Sequence, residues 1–191
     1  MKNKFMQRAI ELSIESINIG GGPFGSVIVK ENKIISEGSN EVTLINDPTA
    51  HGEIVAIRQA CKSLNNFNLS GCELYSTCEP CPMCLSAIYW ARIDKIYYAN
   101  TRDDAQKIDF DDSLIYSEFQ KNINKRKIPM IQMMRNEALK AFELWDKKTD
   151  IANINGGSPV VLDLLITFSL FKFLKIATLN FSGISLTAGI L

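Results

Sequence analysis

The stretch Gly25-Ser26-Val27-Ile28-Val29-Lys30-Glu31-Asn32-Lys33-Ile34-Ile35-Ser36-Glu37-Gly38 decides the fold. Two β-branched runs, 25–30 and 33–38, meet at Glu31-Asn32, the pattern of an antiparallel hairpin. Upstream, Phe5, Met6, Ala9, Ile10, Leu12, Ser13 and Ile17 recur at about 3.6-residue spacing, so an amphipathic helix spans 3–19. Gly20, Gly21, Gly22 and Pro23 end it. Downstream, a polar loop through Asn46-Asp47-Pro48-Thr49 leads into a second helix over 51–64, with Ile54, Ile57, Cys61 and Leu64 as its buried stripe. Asp47 or Thr49 is positioned to cap its start. A central strand over 72–76, a helix over 82–91 with Pro82 in its first turn and a strand over 95–99 follow. A helix near 113–121, a strand near 129–134 and a helix near 138–147 complete the body. This order predicts an α/β protein, a three-layer α/β/α sandwich around one mixed five-stranded sheet. Its hairpin is antiparallel, and its later strands, joined through helices, are parallel.

The chain has 191 residues, enough for one domain with or without an appendage. Lys and Arg total 21 and Asp and Glu total 21, which excludes a strongly basic nucleic-acid binder. A hydrophobic content of 46% with 22% charged residues excludes a disordered chain. Five cysteines are too few for a disulfide scaffold, and no apolar leader follows residues 1–7. The expected compartment is therefore the reducing cytoplasm, where cysteines stay as thiols or hold metal. Composition shifts near residue 150: in 151–191 only Asp163, Lys172 and Lys175 are charged. The expected division is a catalytic domain over 1–150 and an apolar extension over 151–191. Within 160–181 the longest uncharged run, 164–171, is far short of the roughly 18 residues of a membrane span. The extension reads as a packed helix, an interface segment or sequence foreign to the native domain.

The informative side chains are His51, Glu53, Cys78, Glu79, Cys81 and Cys84. His51 is the sole histidine, so chemistry needing two imidazoles from one chain is excluded. Cys81 and Cys84 straddle the start of a helix, and three-residue spacing puts both thiols on one face. A helix N-terminus favours the thiolate, the form that binds metal. Four protein ligands would close a structural zinc site, whereas three leave a position open for catalysis. Glu53, two residues after His51, favours the open site, because a carboxylate there moves the protons of an activated water. Cys78 is the alternative fourth ligand or a plain buried thiol, as Cys61 and Cys72 are expected to be.

His51-Gly52-Glu53 followed by Pro80-Cys81-Pro82-Met83-Cys84 matches the H-x-E…P-C-x-x-C signature of zinc nucleobase deaminases. The runs 46–53, 78–84 continuing to Ala87-Ile88-Tyr89-Trp90-Ala91-Arg92, and Phe110-Asp111-Asp112-Ser113 resemble bacterial guanine deaminases over about residues 3–148. The resemblance implies the cytidine deaminase-like fold and a homodimer in which C-terminal segments are exchanged. It implies Zn²⁺ held by His51, Cys81 and Cys84, with Glu53 as proton shuttle. By the same resemblance Asp112 is a second catalytic carboxylate, while Asn40, Phe24 and Trp90 contact the base. Residue by residue, Asn40 also reads as a turn residue, Asp112 as a helix cap, and Phe24 and Trp90 as core aromatics. Two positions depart from the family: no tyrosine follows Lys148 at the end of the matching region, and Gly52 replaces the usual alanine.

The implied activity is hydrolytic deamination of guanine to xanthine and ammonia by a zinc-bound hydroxide. The alternatives are the same chemistry on tRNA adenosine, cytosine or a nucleoside, and a non-catalytic zinc-stabilised interaction module. Lys121, Lys125, Arg126 and Lys127 form a basic cluster. In a neutral chain it reads as a solvated loop, so neither a nucleic-acid nor a membrane partner is expected.

Overall fold

The computed structural model describes residues 2–148, so the extension over 151–191 lies outside the described residues. Two compact units divide between Ile131 and Gln132. In the first, helix α1 (Asn3–Asn18) precedes the hairpin of β1 (Gly22–Lys30) and β2 (Lys33–Asn40). A short helix α2 (Val42–Ile45), helix α3 (Gly52–Leu64), strand β3 (Cys72–Cys78), helix α4 (Pro82–Ala91) and strand β4 (Lys95–Asn100) follow. Helices α5 (Arg102–Gln106) and α6 (Ser113–Gln120) close the unit with a 3₁₀ turn at Ile123–Lys125. The second unit contributes α7 (Arg135–Asp146).

The strands lie in the order β2-β1-β3-β4. β1 is antiparallel to β2 and β3, and β3 is parallel to β4, so the sheet is mixed as expected. Alternation along the strands separates two cores. Val27, Val29 and Tyr75 pack with Phe5, Ala9 and Leu12 of α1. Ile28, Cys72 and Leu74 pack on the opposite face with Ala56 and Ala60 of α3 and Ile88 and Ala91 of α4. Cys61 and Cys72 both join this second core. The close seat of α3 depends on Gly38, where a Cβ would lie 2.4 Å from the Gly52 carbonyl oxygen and 2.6 Å from the Ala56 nitrogen.

Two expectations are corrected. The sheet has four strands among the described residues, because 129–134 forms no strand. A strand requires a neighbour's hydrogen-bond ladder, and here Ile131 is 85% exposed, with Met130 and Met133 exposed beside it. Neither Asp47 nor Thr49 caps α3: the Asp47 carboxylate instead accepts from the Thr49 amide and hydroxyl, and the N-cap residue is His51. Helices α2 and α5 were not foreseen. They are short, and α5 rests on a capping box between Thr101 and Asp104 that hydrophobic periodicity does not register.

Candidate active site

Three side chains from two helix starts converge. His51 is the N-cap of α3 and Cys81 the N-cap of α4; both have extended backbone and neither makes a side-chain cap. Polar residues such as Ser, Thr or Asp usually occupy these positions and bond the first turn. His51 and Cys81 forgo that bond, which frees both side chains for a common ligand. Cys84, in the first turn of α4, is fully buried. His51 Nδ1 lies 3.6 Å from Cys81 Sγ and 3.5 Å from Cys84 Sγ, and the three ligand atoms all lie within 4.8 Å of one another. Tetrahedral zinc with Zn–S of about 2.3 Å and Zn–N of about 2.0 Å separates N from S by about 3.5 Å. The donor set therefore fits zinc in both chemistry and spacing.

The electrostatics suit a cation. A hydrogen bond from Cys84, together with the neighbouring His51, lowers the Cys81 thiol to about 4, a thiolate at neutral pH. The same bond, together with burial, pushes its partner Cys84 well up. Cys78 is not in the trio: its thiol faces the Thr101 carbonyl at 3.6 Å, and burial raises it to about 11. Three protein ligands among the described residues leave a tetrahedral position open, the arrangement of a catalytic rather than a structural site.

Glu53 sits against the trio, 5% exposed. Its Oε1 accepts from the Ser76 hydroxyl at 3.1 Å and its Oε2 from the Cys84 thiol at 3.4 Å. Burial raises its pKa above the usual carboxylate range.

A cavity of about 580 Å³ opens over these groups, lined by His51, Glu53 and Cys81 together with Phe24, Asn40 and Asp112. Phe24 meets Phe110 edge-to-face, with ring centroids 4.9 Å apart. Asn40 is buried, and its Oδ1 accepts from the Val42 amide at 3.3 Å. Asp112 stands at the N-cap of α6 without a side-chain cap; Asp111 supplies the turn bonds to Ser113 instead. Burial raises the Asp112 pKa against the opposing pull of Arg102. Trp90 does not line this cavity. It is 83% exposed, because the phase of α4 that turns Cys84 and Ile88 inward turns Trp90 outward.

Sequence reasoning missed Arg102, which lines the cavity and stacks over Tyr116 at 4.3 Å. It also missed Ser26 and Ser76. Their signal was present: each occupies an inward position of a strand where the alternation calls for an apolar residue.

Residues 1–100 match the model of the cytidine and deoxycytidylate deaminase zinc-binding region. Guanine deaminase of Bacillus subtilis (strain 168) is 53% identical over 142 residues, spanning 74% of this chain and 91% of that protein. Its X-ray structure superposes with a TM-score of 0.75 at 50% identity, covering 78% of this chain and 95% of that one. A tRNA-specific adenosine deaminase of Aquifex aeolicus is 44% identical over 98 residues, 51% of this chain and 65% of that protein. A guanine deaminase structure from Nitrosomonas europaea matches with a TM-score of 0.54 at 32% identity, covering 56% of this chain and 63% of that one. With its signature residues gathered at one cavity and its first hundred residues matching the family model, this chain belongs to the zinc-dependent deaminases of the cytidine and deoxycytidylate deaminase type.

Proposed function

We propose that the protein hydrolyses guanine to xanthine and ammonia. The observation that carries this reading is 53% identity across 91% of a guanine deaminase, against 44% across 65% of a tRNA deaminase. His51, Cys81 and Cys84 would hold the zinc. When bound, zinc lowers the pKa of water towards about 7 and makes it a nucleophile for the ring carbon bearing the exocyclic amine. Glu53 takes one proton of the attacking water on Oε2 and delivers it to a ring nitrogen of the base. It then takes the remaining hydroxyl proton of the adduct and passes it to the amine, which departs as the carbonyl forms. One water is consumed and one ammonia leaves. Asn40 keeps its Oδ1 on Val42 and offers its amide N–H groups to the base edge. Phe24 and Phe110 form the apolar wall against the ring face. Asp112 accepts from the base N–H groups and assists the second proton transfer.

The placement of Asn40 depends on Gly22. A Cβ there would lie 2.8 Å from Asn40 Cγ and 3.0 Å from its Oδ1. Gly22→Ala displaces the amide, so KM for guanine rises about tenfold, the loss of one good hydrogen bond, while kcat changes little. Steady-state kinetics check this; an unchanged KM removes Asn40 from base recognition.

The catalytic domain spans 1–150 and the stretch 151–191 is an extension outside the catalytic machinery. The working form is a homodimer that exchanges C-terminal segments. Supporting this, Tyr89, Trp90 and Tyr98 are exposed on α4 and β4, and β4 is an edge strand with no neighbour on one side among the described residues. Trp90 then serves at the subunit contact. Among the described residues no helix is long and apolar enough to cross a membrane, and the free thiols suit the reducing cytoplasm. One charge of the basic cluster is paired, since Glu118 binds the Lys121 ammonium. The test is ammonia release from guanine, adenine, cytosine, guanosine, cytidine and tRNA. Guanine is the expected substrate, and preference for tRNA adenosine overturns the reading.

A further inference from the structure

Ser26 and Ser76 are cross-strand partners in the β1–β3 ladder. They lie on the face where Ile28, Cys72 and Leu74 build the core, and each is only 1% exposed. Hydroxyls in such a place must be hydrogen-bonded to be tolerated. Ser26 Oγ donates to Ser76 Oγ at 3.2 Å, and Ser76 Oγ donates to Glu53 Oε1 at 3.1 Å. Because Ser26 occupies an acceptor site on Ser76, the single Ser76 proton is directed at the carboxylate, and the bonds reinforce one another. Neither serine lines the cavity, so neither touches substrate.

The other carboxylate oxygen is held differently. Oε2 accepts from the Cys84 thiol. A metal-ligating cysteine is a thiolate and has no proton to donate. With zinc held there that bond would be lost, and Ser76 would remain as the side-chain donor to Glu53 among the described residues, beside the backbone amide of Glu53 itself. The terminal torsion of a glutamate is broad and roughly two-fold, so without an anchor the two oxygens interchange and drift.

We propose that Ser76, oriented by Ser26, is a positioning residue that pins Glu53 Oε1 and makes Oε2 the oxygen that carries protons. The inference rests on Glu53 being the proton carrier of the deamination proposed above. Its energetic logic is that of preorganisation: small misplacement of a proton-transfer group costs rate without weakening substrate binding.

The test uses full-length, zinc-loaded Ser76→Ala and Ser26→Ala proteins, which remove an oxygen without adding bulk. For Ser76→Ala, kcat for guanine falls about tenfold with KM within about twofold of wild type, the pattern of a lost orienting contact. Zinc per chain is unchanged, and crystals show the Glu53 carboxylate rotated from its wild-type position. Ser26→Ala moves kcat in the same direction by about threefold, since Ser76 keeps its bond but loses its orientation. A Ser76→Ala enzyme with wild-type kcat, an unmoved carboxylate, or a rate loss that tracks zinc loss overturns the proposal. If wild-type protein releases no ammonia from guanine, the substrate reading fails, while the carboxylate position in the crystals still decides the relay.

Discussion

Glu53→Gln leaves the protein folded and zinc-loaded and lowers guanine turnover by about a thousandfold, within the range of general acid–base contributions. The amide is nearly isosteric with the carboxylate. Its oxygen still accepts from Ser76, so the packing between α3 and β3 is retained. What it lacks is basicity: it cannot take a proton from water or hold one for the leaving amine. Stability moves the other way. Burial raises the Glu53 pKa, so the folded state favours the protonated form, and keeping the group charged above that pKa disfavours folding. Glutamine removes this penalty, and metal-free Glu53→Gln unfolds at pH 7 at a temperature no lower than metal-free wild type. Zinc analysis, ammonia release and thermal unfolding check the three parts. A variant that keeps more than about a tenth of wild-type turnover at full zinc occupancy shows that another group moves the protons.

The second large effect is on the metal. Cys84→Ser loses zinc and, with it, turnover, whereas Cys78→Ala keeps both. Cys84 is fully buried with its sulfur 3.5 Å from His51 Nδ1, and a serine hydroxyl there is a poor zinc ligand. Cys78 faces the Thr101 carbonyl instead. Zinc also stabilises the fold by mass action, worth about 4 kcal/mol when free metal exceeds its dissociation constant a thousandfold. Chelation of wild type therefore lowers the unfolding temperature, and chelation of Cys84→Ser changes it little. Zinc per chain and unfolding with and without chelator make the measurement. Equal zinc loss from Cys78→Ala would mean a closed four-ligand site, and the catalytic reading would fall with it.

What could be read along the chain was what short-range physics controls. Helix α4 runs from Pro82 to Ala91 as its sequence predicts, because proline suits the first turn and apolar periodicity acts within the helix itself. The hairpin, the pairing of His51 with Glu53 at one helix start, and the two thiols on one face of the next are likewise local. So is the zinc chemistry of the donor set.

The rest belonged to tertiary structure. Whether Asp112 caps α6 or faces the cavity turned on Asp111 taking the turn bonds. Trp90 and Ile88 lie two residues apart, yet only the packing of α4 on the sheet decides which points outward. The expected strand over 129–134 has β-compatible residues but no ladder beside it, and extended chain alone has no bond to make. Ser26 and Ser76 are fifty residues apart in the chain and become partners only through the register of β1 on β3. By itself the sequence specified the candidate donor set, the carboxylate beside it and the elements that carry them, since these rest on residue chemistry and near-neighbour periodicity. The convergence of two helix starts on one point, and the hydroxyls placed behind Glu53, come from long-range packing, which depends on every layer of the sandwich together.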